Sequence, residues 1–185
     1  MTAVSEKQAA GETEAAGAVQ QGQYLTFTIG GETFAVSILR IKEIIEYTGI
    51  TTVPMMPDCI RGVINLRGAV VPVLDLALRL GRAASPVTKR TCVIIVEVQD
   101  DEGCQDMGIV VDAVHAVVDM SEQDIEPPPA FGARIRSEFI AGMGKRDGGF
   151  VIVLDLAHVL AQEELGALAG GTAQARAAEH ADTAQ

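Results

Sequence analysis

A chain of 185 residues that is 48% hydrophobic but only 4% aromatic, with no tryptophan, has enough apolar side chains for one domain or two small ones around an aliphatic core. Twenty-five acidic residues against 14 basic give a formal net charge of −11, which excludes the basic face of a nucleic-acid binder and polybasic attachment to a membrane. The most apolar region, 60–80, is broken by Arg61, Asn65, Arg67, Asp75 and Arg79, so no membrane-spanning helix is expected.

Residues 1–22 hold six Ala and three Gly without a sustained apolar period and without the basic start and apolar run of a signal peptide. They are expected to be a disordered tail, as is the Ala-rich segment 166–185, because neither buries enough to offset ordering entropy. Of the 20 Val and 15 Ile, 33 lie between residues 23 and 162, and β-branched side chains favour pleated surfaces. The first predicted pair is Tyr24 to Ile29 and Thr33 to Ile38, joined by Gly30-Gly31 as a hairpin. Ile41 to Tyr47 follows, beginning with a short helical turn. Pro57 opens a predicted short helix through Ile60. Val63 to Leu66 and Ala69 to Leu74 pair around Arg67-Gly68, and Asp75 caps a short helix to Leu80. After the linker 81–90, strands are predicted at Cys92 to Val98, Met107 to Val111 and Val114 to Val118. Pro127-Pro128-Pro129 forces an extended break. A last strand, Ile152 to Leu154, precedes a helix from Asp155 to about Leu165.

A two-fold repeat organises these elements. At an offset of 80, residues 60–81 align without gaps on 140–161, with 10 identities in 22 positions, among them Gly62/Gly142, Gly68/Gly148 and the shared Val-Leu-Asp-Leu-Ala at 73–77 and 153–157. Upstream, an offset of 73 sets Val36, Ile38, Ile41, Ile44, Ile45 and Pro54 on Ile109, Val111, Val114, Val117, Val118 and Pro127. The chain therefore reads as two copies of one small β unit that is marginal alone and must pack on its twin.

Residues that could carry chemistry are few. Cys59, Cys92 and Cys104 have no CxxC spacing, so reduced, partly buried thiols are expected. His115, His158 and His180 lie in no metal or nucleophile motif, and the Gly144-Lys145 fragment is not a phosphate loop. No cofactor or metal is therefore expected. Asp75 and Asp155 occupy equivalent positions, as in two-lobed aspartic hydrolases. Each is followed by Leu-Ala at a helix start rather than by a small hydroxyl residue and Gly, so helix capping is favoured over catalysis. What packing leaves unexplained is Asn65-Leu66-Arg67-Gly68, where the second copy has Lys145-Arg146-Asp147-Gly148. An arginine in so apolar a region pairs with a carboxylate or reaches a partner, and Glu43 is the carboxylate expected to face it.

These residues carry a resemblance. Thr26 to Val36 with Ile38 to Ile44, the segment Cys59 to Leu76 containing Asn65-Leu66-Arg67-Gly68, and Met107 to Asp112 resemble CheW, the chemotaxis coupling protein family, over residues 23–165. The resemblance implies a mainly β fold of two intertwined five-stranded Src-homology-3-like β-barrels, roughly 23–90 and 91–165, with short helices including a C-terminal one. It implies a cytoplasmic adaptor, without catalysis or cofactor, bridging the helical hairpin tips of chemoreceptors to the CheW-like regulatory domain of a CheA-type histidine kinase. An adaptor of another chemosensory-type pathway (pili, gliding, gene expression) would look alike. Carried over by motif, Ile41, Glu43, Gly62 and Arg67 contact the receptor or support that contact, and Asn65 and Gly68 shape the turn that presents Arg67. Kinase-contact residues are not placed. Cys59 departs from the family, standing where a bulky aromatic is common.

Overall fold

The computed structural model describes residues 21–100, 103–129 and 135–161. Among them, strands dominate: β1 (Gln21–Ile29), β2 (Glu32–Ser37), β3 (Ile41–Glu46), β4 (Ile60–Leu66), β5 (Ala69–Asp75), β6 (Cys92–Asp100), β7 (Gly103–Val111), β8 (Ala113–Ser121), β9 (Ile125–Glu126), β10 (Ile140–Arg146) and β11 (Gly149–Leu154). One-turn helices α1 (Leu76–Arg79) and α2 (Leu156–Val159) follow β5 and β11, capped by the carboxylates of Asp75 and Asp155.

The strands form two sheets. One runs β8-β1-β2-β11-β10-β9 and the other β3-β6-β7-β5-β4. Superposing the repeat on these orders matches β8 to β3, β1 to β6, β2 to β7, β11 to β5 and β10 to β4. Each sheet thus holds three equivalent strands of one copy and the opening hairpin of the other, and the first sheet adds β9 at its edge. The borrowed hairpins enter through corresponding parallel contacts, β5 with β7 and β11 with β2, while all other pairs are antiparallel. The chain passes between sheets at two short crossings. One is the single 3-10 turn Ile38–Arg40; the other is Asp112 alone, between β7 and β8. The Asp112 backbone N–H donates to Thr28 O (3.0 Å), and its Oδ2 accepts from the Gly30 N–H (2.7 Å).

Burial follows from this exchange. Along β6, Val93 and Ile95 join a small cluster with Ile64, Val71, Val73 and Val110, whereas Ile94 and Val96 join the large cluster shared by both sheets. Both faces of β6 are buried, which is why its sequence is a continuous apolar run rather than an alternation. The other sheet has its own small cluster of Ala35, Val118, Met120, Val151 and Val153. The shared cluster holds Phe27, Phe34, Leu74, Ile109, Phe139, Leu154 and Leu160. There the copies meet at equivalent residues: Arg79 Nε donates to Val159 O at 2.7 Å, eighty positions on.

Several expectations from sequence are corrected. No helix forms after Pro57. The Ile60 N–H makes one turn bond to Pro57 O, and Cys59 O is then taken by the Asp75 N–H (2.7 Å), so sheet pairing prevails over helix growth. The second helix stops at Val159 rather than near Leu165, because the Ala161 N–H bonds only three residues back, to His158 O, and Leu160 leaves helical geometry. The sheet containing β1 has six strands instead of five, since Ile125 and Glu126 pair with Gly144 and Met143. Of the tails expected at 1–22 and 166–185, Gln21 and Gly22 instead open β1 opposite Ser121 and Met120, and the remainder lies outside the described residues.

Candidate functional site

Hairpin β4–β5 turns through two residues, Arg67 and Gly68, with φ of 51° and 86°. Positive φ at both central residues is the geometry whose twist matches that of paired strands. Glycine adopts it freely, but a bulky L-residue at such a φ costs about 1–2 kcal/mol. Asn65 offsets part of this by accepting the Gly68 N–H on Oδ1 (2.9 Å). The equivalent turn in the second copy uses Asp147 and Gly148 (φ of 49° and 76°), with a residue type that tolerates the conformation better.

At that turn Arg67 reaches across to β3. Its Nη1 and Nη2 donate to Glu43 Oε1 (2.7 Å) and Oε2 (2.9 Å), a two-bond pairing that fixes orientation. The pair joins strands at opposite ends of the sheet order, so it spans the seam where this sheet curls on itself. Arg61 reinforces the same seam, donating through Nη1 to the Tyr47 hydroxyl (3.1 Å). Beside Glu43, β3 bulges between Ile41 and Glu43, and Lys42 projects outward to Asp106 on β7 (2.8 and 3.1 Å), with Glu97 at 3.7 Å. Hydrogen bonding to Asp106 raises the Lys42 amine above its ordinary value. Lys42, Glu43, Leu66, Arg67, Ala69 and Asp106 line an open depression of about 450 Å³.

Of the six residues singled out from sequence, Glu43, Asn65, Arg67 and Gly68 therefore come together at one turn. Gly62 does not. It lies buried at the β4 bulge (φ 151°), where a Cβ would stand 2.1 Å from Thr51 O, so it admits the loop at 50–51 rather than lining the depression. Ile41 is half-buried and packs on the shared core. Sequence reasoning missed Lys42 and Asp106. Lys42 had the signal of adjacency to Glu43, while Asp106 is 64 residues away and becomes a neighbour only through the β6–β7 hairpin.

The paired aspartates do not form a catalytic dyad. Asp75 is fully buried: Oδ1 accepts from Ala77 and Leu78 N–H, and Oδ2 from Arg61 Nε (2.8 Å), Arg61 Nη2 (2.6 Å) and the Ser85 N–H (3.2 Å). Burial opposes the Arg61 charge, but its bonds to Asp75 and Tyr47 raise its pKa all the same. Asp155 is half-exposed, capping α2 and contacting His158 Nδ1 at 2.9 Å. No group of three or more metal-ligating side chains occurs among the described residues, and no helix there is long and apolar enough to cross a membrane.

Comparison with known proteins identifies the family. The model of the CheW-like domain matches residues 23–164. Chemotaxis protein CheW of Klebsiella aerogenes is 33% identical, with 77% of this chain and 84% of that protein covered. Protein PilI of Pseudomonas aeruginosa is 29% identical, with 80% and 79% covered. The crystal structure of the scaffolding protein TtCheW from Thermoanaerobacter tengcongensis matches with a TM-score of 0.69 and 33% identity, covering 77% of this chain and 94% of that one. The chain belongs to the CheW-like family.

Proposed function

We propose that this chain is a chemotaxis coupling scaffold that links the cytoplasmic tips of chemoreceptors to a CheA-type histidine kinase and lets the receptors control it. The single observation that carries the reading, beyond family membership, is the Arg67 turn. An arginine holds a left-handed backbone on a two-residue hairpin, clamped to Glu43, although folding demands no arginine there and the second copy has Asp147 instead. Backbone strain retained at an exposed tip points to use by a partner. In this reading Arg67 and Glu43 set the docking geometry for the receptor's helical hairpin, Asn65 and Gly68 hold the turn, and Gly62 and Ile41 support the strands behind it. The protein works in the cytoplasm and meets the membrane only through receptor arrays. Its kinase-contact residues are unassigned.

The test is co-purification of the whole chain with a CheA-type kinase and with a receptor cytoplasmic fragment, separately and together, followed by receptor-dependent kinase activity. The wild type is expected to capture both, and Arg67→Ala to lose receptor capture and kinase activation while remaining folded. Unchanged capture and activation by Arg67→Ala would remove Arg67 from the docking role. A second reading, service to a chemosensory-type pathway that drives pili, gliding or gene expression, is favoured by the likeness to Protein PilI. The receptors and kinase encoded beside the gene discriminate between the two.

A further inference from the structure

In both ion pairs that line the depression the cation stands farther out than the acid. The Arg67 side chain is 77% exposed against 25% for Glu43, and Lys42 46% against 29% for Asp106. Both oxygens of Glu43 are taken by Arg67, and both of Asp106 by Lys42. Each oxygen of the two acids thus accepts from the cation that covers it. A guanidinium has five N–H donors, and Arg67 gives two of them to Glu43. Between the pairs, Leu66 and Ala69 supply an aliphatic lining, with Val70, 73% exposed, next along β5. Glu97 also lies 3.7 Å from Lys42, so the patch carries both signs, but the two cations are the charges that an approaching partner meets first, and a charge at a rim sets the register of a partner group of opposite sign.

We infer that this depression reads a carboxylate set beside an aliphatic side chain on the docking partner, and that Lys42 is a specificity-determining contact there alongside Arg67. The inference rests on the docking role given above to the Arg67 turn. Exposed ion pairs are worth little in water, so Lys42 turns from Asp106 toward an incoming carboxylate at small cost.

The experiment uses the whole chain as wild type, Lys42→Glu, Lys42→Arg and Asp106→Asn, with a receptor cytoplasmic fragment as probe and association rates read at low and high salt. Lys42→Glu is expected to slow association about tenfold at low salt and to flatten the salt dependence, as reversing a rim charge does. Lys42→Arg should bind like wild type, and Asp106→Asn should associate as fast or faster. A fragment with one tip carboxylate reversed to lysine should bind poorly to wild type and regain affinity for Lys42→Glu. If Lys42→Glu associates within about twofold of wild type, or faster, while the wild type binds the fragment normally, the inference is overturned and the coupling function stands. If the wild type captures neither receptor fragment nor kinase, the functional reading fails and the inference with it.

Discussion

The two copies of the repeat build the same bulged hairpin and differ where it meets solvent and where it meets its helix. β4–β5 and β10–β11 have matching registers, Ile60 with Leu74 and Ile140 with Leu154, each followed by a bulge and then a glycine paired with valine. At the tip, Arg67 clamps to Glu43, whereas Lys145 on β10 pairs with Glu126 on the short extra strand. At the base, Asp75 is buried and held by Arg61, while Asp155 is half-exposed with Ala141 at the position of Arg61. The hairpin frame belongs to both copies, so the backbone explains the shared residues. The first copy alone adds a buried ion pair below and a strained arginine above.

The largest break in that comparison should come at the base. Arg61→Ala leaves a buried carboxylate without its counter-ion, and a loss of about 3 kcal/mol in urea unfolding is expected. Asp155→Ala removes only an exposed cap and should cost about 1 kcal/mol. Equal losses would mean that the buried pair does not distinguish the copies.

Next come the glycines at the bulges. A Cβ on Gly62 would meet backbone, Thr51 O at 2.1 Å, and one on Gly142 would meet the γ-methyl branch of Ile125, Cγ2 at 2.3 Å, and backbone at Glu126 O, 2.9 Å. Gly62→Ala should therefore destabilise by about 3 kcal/mol and Gly142→Ala by about 2 kcal/mol, since Gly62 meets backbone more closely and has in addition a positive φ. Thermal melting of the two variants side by side checks the order, and a reversed order would contradict the packing described.

The smallest effect concerns Cys59, which faces the start of β4 where the second copy has Phe139. Burial pushes the Cys59 thiol above its ordinary value of 9.0. A raised pKa means that the fold favours the protonated thiol, so this contribution is complete below about pH 9 and is lost as pH climbs through the folded-state value. Melting temperatures from pH 7.5 to pH 10.5 should fall less in Cys59→Ala than in wild type. Lys42, also raised, contributes equally to both and cancels. An identical fall in the two proteins would show that folding does not raise the pKa of the Cys59 thiol.

Much of this was legible in the residues. The offset of 80 located the second hairpin although Ile140 to Arg146, with three small residues, has little strand character of its own. The Asp-Leu-Ala repeats announced both caps. Pro57 misled because proline suits a helix start equally when no helix follows; the competing bond from Asp75 to Cys59 O lies outside any local window. The reach of the second helix was overestimated because alanine and leucine propensity is local, whereas the turn at Leu160 is set by packing in the shared core.

By itself, then, the sequence determined the β character, the duplication, the turns and the residues worth singling out at the Arg67 tip, because propensity, period and φ preference act over a few residues. Only the tertiary structure decided which strand joins which sheet. An alternating pattern says that a strand has two faces, not which neighbours cover them. The crossings at Ile38–Arg40 and at Asp112 carry each opening hairpin into the other copy's sheet. That exchange brings Asp106 beside Lys42, buries both faces of β6 and sets Arg79 against Val159 at the junction of the copies. Contacts across 64 and 80 residues depend on the path of the chain through space, and no local preference encodes that path.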